Sequence, residues 1–193
     1  MHRYFFCLLF LPLASAVEIG PVPVVRVIEG DIIAVMIKGN EEQIRLLFVD
    51  TPECKDDGHG GEMDEGHMAK KFLESLLPIQ AHVRLKGPKA ELERDGNNRL
   101  LAIVEQNRST DGKPQPEPVP DDKMRVSIIL CVNSEIIKAG WSPYWMKHGL
   151  ATDSYDASFR FAQNQADTAG AGLWTSNLKW IEEKANERTV PKK

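Results

Sequence analysis

Residues 26–53 read RVIEGDIIAVMIKGNEEQIRLLFVDTPE. With the preceding Val22-Pro23-Val24-Val25, the run is rich in β-branched residues and broken at regular intervals by turn formers. Gly30 interrupts the first strand before Ile32–Ile37. Lys38-Gly39-Asn40-Glu41 supplies a hairpin turn, and Ile44–Val49 is the return strand. Thr51-Pro52 ends it, because proline has no N–H to give to a ladder.

Working outward, residues 54–66 are polar, glycine-rich and acidic, which predicts a loop. Met68, Phe72, Leu73, Leu76 and Leu77 recur at helical spacing over 67–77, and Pro78 stops that helix. Residues 81–85 alternate as a strand. ERDGNN over 93–98 is a turn, and 99–104 is the next strand. Residues 107–123 hold four prolines and many charges, which predicts an exposed insertion loop interrupting a hairpin. A strand resumes over 126–131. Asn133 is placed to cap a short helix through Ala139. Phe159, Ala162 and Ala166 share one face of a helix over 155–169, ended by Gly170-Ala171-Gly172. A short terminal helix over 176–188 follows, within a C-terminal tail of 176–193. This order predicts an α+β chain: a small five-stranded barrel of the OB type with about three helices.

The first residues read as a leader outside the fold. A basic start, the apolar run Tyr4–Leu13 and Ala14-Ser15-Ala16 predict a secretory signal over 1–16, cleaved after Ala16. Localisation is then periplasmic or secreted. The remainder of the 193-residue chain is enough for one domain. Cys7 leaves with the leader, and export makes a disulfide between Cys54 and Cys131 chemically accessible. Two free thiols are the plainer alternative. The formal net charge is −4. A surface without a long basic track argues for local phosphate recognition by a few arginines. Nothing in the sequence sets an oligomeric state, and a monomer is the default.

Five charged residues at predicted strand ends carry the chemistry. Asp31, Asp50 and Glu53 are hard oxygen donors, which favour Ca²⁺ or Mg²⁺ over zinc or copper. Arg45 and Arg99 present planar forks that match phosphate oxygens. A metal, a carboxylate base and cationic clamps are the parts needed for phosphodiester hydrolysis. Each residue alone has a plainer role as a turn closer, strand cap or surface ion pair. Strand alternation also opposes the grouping, since Arg45 and Asp50 are five apart and fall on opposite faces. Only a bend, or a strand ending before Asp50, brings them together.

The quoted stretch resembles the opening of the staphylococcal nuclease (thermonuclease-like) family, in which a strand reads R-L-x-x-[VI]-D-T-P-E. DGNNRLLAIV, VNSEIIKAGWSPYWMKHG and FAQNQADTAGAGLW continue the likeness in the same order, over roughly residues 22–175. The resemblance implies an OB-fold nuclease that cleaves DNA and RNA with Ca²⁺ and leaves 3′-phosphate ends. It implies Asp31, Asp50 and the carbonyl of Thr51 as metal ligands. Glu53 becomes the general base, and Arg45 and Arg99 hold the phosphate. Tyr144, Lys147 and His148 lie in the segment that resembles the nucleotide-binding wall. Glu29 stands where the family often has Asp, Ile32 where Thr is common, and Asn97 where Tyr is common. The rival reading is a non-catalytic OB module that binds nucleic acid or a protein tail.

Other signals are weaker. Cys54, His59 and His67 share one acidic segment but match no zinc template. His82 reads as an exposed strand position. Asn107-Arg108-Ser109 is a glycosylation sequon whose meaning depends on the host. Absence of GxSxG, P-loop and HExxH patterns leaves serine hydrolase, ATPase and zincin readings unsupported.

Overall fold

The computed structural model describes residues 16–54, 64–115 and 127–187. Residues 1–15 of the predicted leader 1–16, His59 and residues 116–123 of the predicted 107–123 loop lie outside the described residues. Strand β1 (Val17–Glu29) is long enough to serve two neighbours. Its second half pairs with β2 (Ile32–Ile37) and its first half with β4 (His82–Gly87), with register shifts between. Such irregularities bend a strand and let a sheet curl. β3 (Asn40–Leu46) pairs antiparallel with β2. β5 (Leu100–Ser109) pairs antiparallel with β4. A parallel pairing of β3 with β5, Ile44 to Leu100 through Leu46 to Ala102, closes the five strands into a barrel. β6 (Ser127–Cys131) extends β5 as a hairpin partner.

The barrel interior is filled by Val24, Ile33, Ile44, Leu46, Leu85 and Val104, all essentially sealed from solvent. Each such side chain contributes about 1.5–3 kcal/mol by leaving water. Five helices, rather than about three, occur among the described residues. α1 (Glu65–Leu76) begins at Asp64, whose carboxylate accepts from His67 N at 2.8 Å. α2 (Val132–Lys138) and α3 (Asp153–Ala169) pack together over one end of the barrel. α3 buries Phe159, Ala162 and Ala166 as the spacing predicts, and ends at Gly170 with φ 59°. α4 (Leu173–Ser176) and α5 (Leu178–Asn186) follow. None of the helices in the described residues is long and apolar enough to cross a membrane.

Four expectations are corrected. Asn133 does not cap α2, which starts at Val132 with Cys131 as its cap residue. The Asn133 side chain is buried, accepting from Val104 N at 2.8 Å and donating to Leu47 O at 2.8 Å. The predicted loop 107–123 starts too early, since 107–109 belong to β5. Gln115, inside that segment, is buried and donates its N–H to Asn107 O at 2.9 Å. His82 is half-buried rather than exposed. The terminal helix, by contrast, is present as expected: α5 lies within 176–188, and Ile181 plugs it into the body of the protein. Cys54 and Cys131 are free thiols with no bridge between them.

Candidate active site

Strand β3 ends at Leu46, well short of Asp50. Leu47 N still donates to Ala102 O at 2.8 Å, after which Phe48 takes φ 65°. A positive φ is unfavourable for a bulky residue and persists only where surroundings enforce it. Here Asn133 holds the Leu47 carbonyl, and Trp145 N donates to Phe48 O at 3.0 Å. The Phe48 ring packs against Tyr144 and Phe159, with centroids 6.0 and 5.8 Å away. The bend turns Asp50 back toward Arg45.

One guanidinium then bridges two carboxylates. Arg45 pairs through one terminal nitrogen with Asp31 and through the other with Asp50. Arg45 and Asp31 are only 8% and 2% exposed, so the pairing is largely dry. Asp31 sits in the β1–β2 turn, where its carbonyl accepts from Leu46 N and its carboxylate from Thr51 N, both at 2.9 Å. Burial raises the Asp31 pKa above its ordinary value, while Arg45 and the Thr51 N–H pull it back down. Gly30 is required beside it, since a Cβ there would lie 2.6 Å from Thr51 Oγ1 and 2.8 Å from Ala69 Cβ.

Asp50 is tethered through its backbone as well. Its N–H donates to Ser142 Oγ at 2.9 Å, and that hydroxyl donates to Pro143 O at 2.6 Å. Its second carboxylate oxygen lies 2.8 Å from Lys184 Nζ on α5. Glu53 follows as an exposed residue between half-buried Pro52 and Cys54. Gly66, in the first turn of α1, packs on the Glu53 backbone so closely that a Cβ would be 2.3 Å from its carbonyl oxygen. α1 thereby sets where Glu53 stands.

Arg99 is fixed by a residue the sequence reading passed over. Asp95 accepts from Asn97 N, Arg99 N and Arg99 Nε at 2.9, 2.9 and 2.7 Å. Burial opposes ionisation of Asp95, but these donors prevail and its pKa falls below the usual value. The terminal nitrogens of Arg99 have no protein partner among the described residues. Glu29, at the end of β1, ties the group together electrostatically. Its pKa is raised first by burial, then by Asp31 and Glu53, against the lowering pull of Arg99 and Arg45. Four of the five predicted charged residues thus act on Glu29, and Asp50 joins them through its ion pair with Arg45.

The predicted nucleotide wall divides. Tyr144 is 2% exposed, its hydroxyl donating to Asp156 at 2.9 Å and accepting from Ala151 N at 2.9 Å. Tyr144 is a core residue and offers no open face to a base. Lys147 and His148 are exposed and flank Trp145, which also carries Arg45 at 5.4 Å over its ring. Loss of hydration, then Arg45 and Lys147, keep the His148 pKa below 6.5. Ser142, Trp145, Lys184 and Asp95 were missed. Only Asp95, four residues before Arg99 in a turn, left a local signal.

No group of three or more His, Cys, Asp or Glu side chains poised to hold a metal ion occurs among the described residues. The donor chemistry nonetheless suits a hard cation. Asp31 and Asp50 converge on Arg45, Glu29 feels the charge of Asp31, and Thr51 Oγ1 is buried without a hydrogen-bond partner.

Residues 43–176 match the family model described as staphylococcal nuclease homologue. The chain belongs to this family. Asp31 and Glu29 lie before the matched segment, so their place beside Arg45 and Asp50 is known from the barrel rather than from the match. A protein of Haemophilus influenzae named "Uncharacterized endonuclease" is 27% identical over 155 residues, 80% of this chain and 66% of the relative. The chain thus spans just under two thirds of that relative's length.

Proposed function

We propose that this chain is an exported, Ca²⁺-dependent nuclease that hydrolyses phosphodiester bonds of DNA and RNA and leaves 3′-phosphate ends. The observation that carries the reading is the convergence of Arg45 on Asp31 and Asp50, with Glu53 leaving the same bend. Family membership supports the reaction class, and the leader pattern over 1–16 supports export.

Asp31, Asp50 and the Thr51 carbonyl would hold the cation, which supplies Lewis-acid polarisation of a phosphoryl oxygen when bound. Glu53 is the general base. It is exposed to water yet positioned by Gly66, so its carboxylate can take a proton from the attacking water. Water adds at phosphorus as the P–O5′ bond breaks. The free terminal nitrogens of Arg99 contact the phosphate directly. Arg45 holds the two carboxylates in register and adds positive charge beside the developing anion. Lys147 and His148, both exposed, would meet the flanking strand.

The deciding experiment incubates the purified chain with single-stranded DNA and with RNA, plus Ca²⁺ or chelator. Digestion of both with Ca²⁺, stopped by chelator, is expected. No digestion of either over a broad pH range would leave the non-catalytic binding module as the better account.

A further inference from the structure

Both carboxylate oxygens of Asp50 are occupied by cationic side chains, Arg45 on one and Lys184 on the other. The two partners differ in how readily they can leave. Arg45 is buried and would be stripped of half its neutralisation. Removing one partner from a buried ion pair leaves an uncompensated charge out of water, so Arg45 stays with Asp50. Lys184 is on an outer helix, its side chain 27% exposed, and has a second acceptor ready in Glu187 Oε1 at 3.2 Å. It can give up Asp50 without becoming an unpaired charge.

α5 carries Lys184 to this point by defined contacts. Asn177 caps the helix through Trp180 N at 3.3 Å. The Asn177 amide and the Ser176 hydroxyl donate to Glu65 of α1 at 2.9 and 2.7 Å. At the other end, Trp145 Nε1 donates to Glu187 at 3.2 Å. A hollow of about 370 Å³ separates the helix from Thr51–Cys54, lined also by Trp180 and Glu65. There is room for the lysine to withdraw.

We propose that Lys184 is the resident counter-ion of Asp50 and a positioning residue that sets the site's affinity for a divalent cation. This rests on the assignment of Asp50 as a metal ligand. A cation gains the second Asp50 oxygen only by displacing the ammonium, so cation binding and the Lys184–Asp50 contact oppose each other. By linkage, whatever strengthens that contact weakens the cation by the same factor. The hydrogen bond from Trp145 to Glu187, and Trp180 with its ring centre 5.8 Å from Lys184 Nζ, make the exchange visible to tryptophan fluorescence.

The experiment titrates CaCl₂ into chelator-stripped, full-length protein without nucleic acid, read by calorimetry and tryptophan fluorescence. Lys184→Met is expected to bind Ca²⁺ about three- to tenfold more tightly than the parent. Lys184→Arg, which keeps the charge, should return toward the parent affinity. Asp50→Asn should abolish binding in both backgrounds. Equal or weaker binding by Lys184→Met, with the fold intact by circular dichroism, overturns the proposal. Failure of both parent and Lys184→Met to bind Ca²⁺ also overturns it. Neither result depends on cleavage, so the nuclease reading stands or falls separately on its own assay.

Discussion

Arg45 and Asp50 are five residues apart and form a direct ion pair, although strict strand alternation would put them on opposite faces. The contradiction is resolved between them. β3 stops at Leu46, and Phe48 reverses the chain direction with φ 65°. The bend is not a local preference of Leu-Leu-Phe-Val. It is held by Ala102, Asn133 and Trp145, all distant in sequence.

Glu53→Gln should slow cleavage by orders of magnitude while leaving the urea unfolding curve unchanged. The side chain is exposed, so it adds little packing, and the proposed mechanism assigns it the role of base. Initial rates with a labelled oligonucleotide check this. A variant as fast as the parent removes Glu53 as the base.

Asn133→Ala is expected to destabilise by about 1–3 kcal/mol, because Val104 N–H and Leu47 C=O lose their buried partner. Activity should fall further than the lost folded fraction explains, since the Leu47 carbonyl helps hold the bend to Asp50. Denaturant unfolding and rates measured well below the midpoint separate the two effects. A variant with parental midpoint means that water or a neighbour replaces the amide.

Gly66→Ala places a Cβ 2.3 Å from the Glu53 carbonyl oxygen, so either α1 or the Glu53 segment must move. The expected outcome is a loss of roughly 10²-fold in kcat with KM little changed, as for a misplaced catalytic group. A parental kcat would show that α1 does not set the position of Glu53.

Asp95→Asn tests the anchoring of Arg99. The folded pKa of Asp95 lies below its ordinary value of 3.8, so this carboxylate stabilises the native state above that value. The contribution is lost as pH falls through the lower folded pKa. The gap in stability between parent and Asp95→Asn should therefore be largest near neutrality and close on acidification below 3.8. Unfolding curves at stepped pH values check it, and a gap that widens toward acid contradicts the assignment.

The strand Ile32–Ile37, the stop at Pro78 and the buried stripe Phe159–Ala162–Ala166 were legible because they depend on spacing and turn residues a few positions apart, whereas the return strand, expected over 44–49, runs over Asn40–Leu46. Asn133 misled for the same reason: a cap is a local pattern, whereas its real bonds cross to the barrel. Tyr144 carried a motif but no information about depth, and it proved to be core.

From sequence alone come the strand and helix order, the family resemblance and the chemical identity of three carboxylates and two guanidiniums. Only the tertiary structure decides that Arg45 faces both Asp31 and Asp50, that Asp95 anchors Arg99, and that Lys184 reaches Asp50 from the C-terminal helix. The division has one physical cause. Periodicity and turn chemistry act over a few residues, while a charged site forms where a closed barrel and its packed helices bring remote segments together and exclude the water that would otherwise screen them.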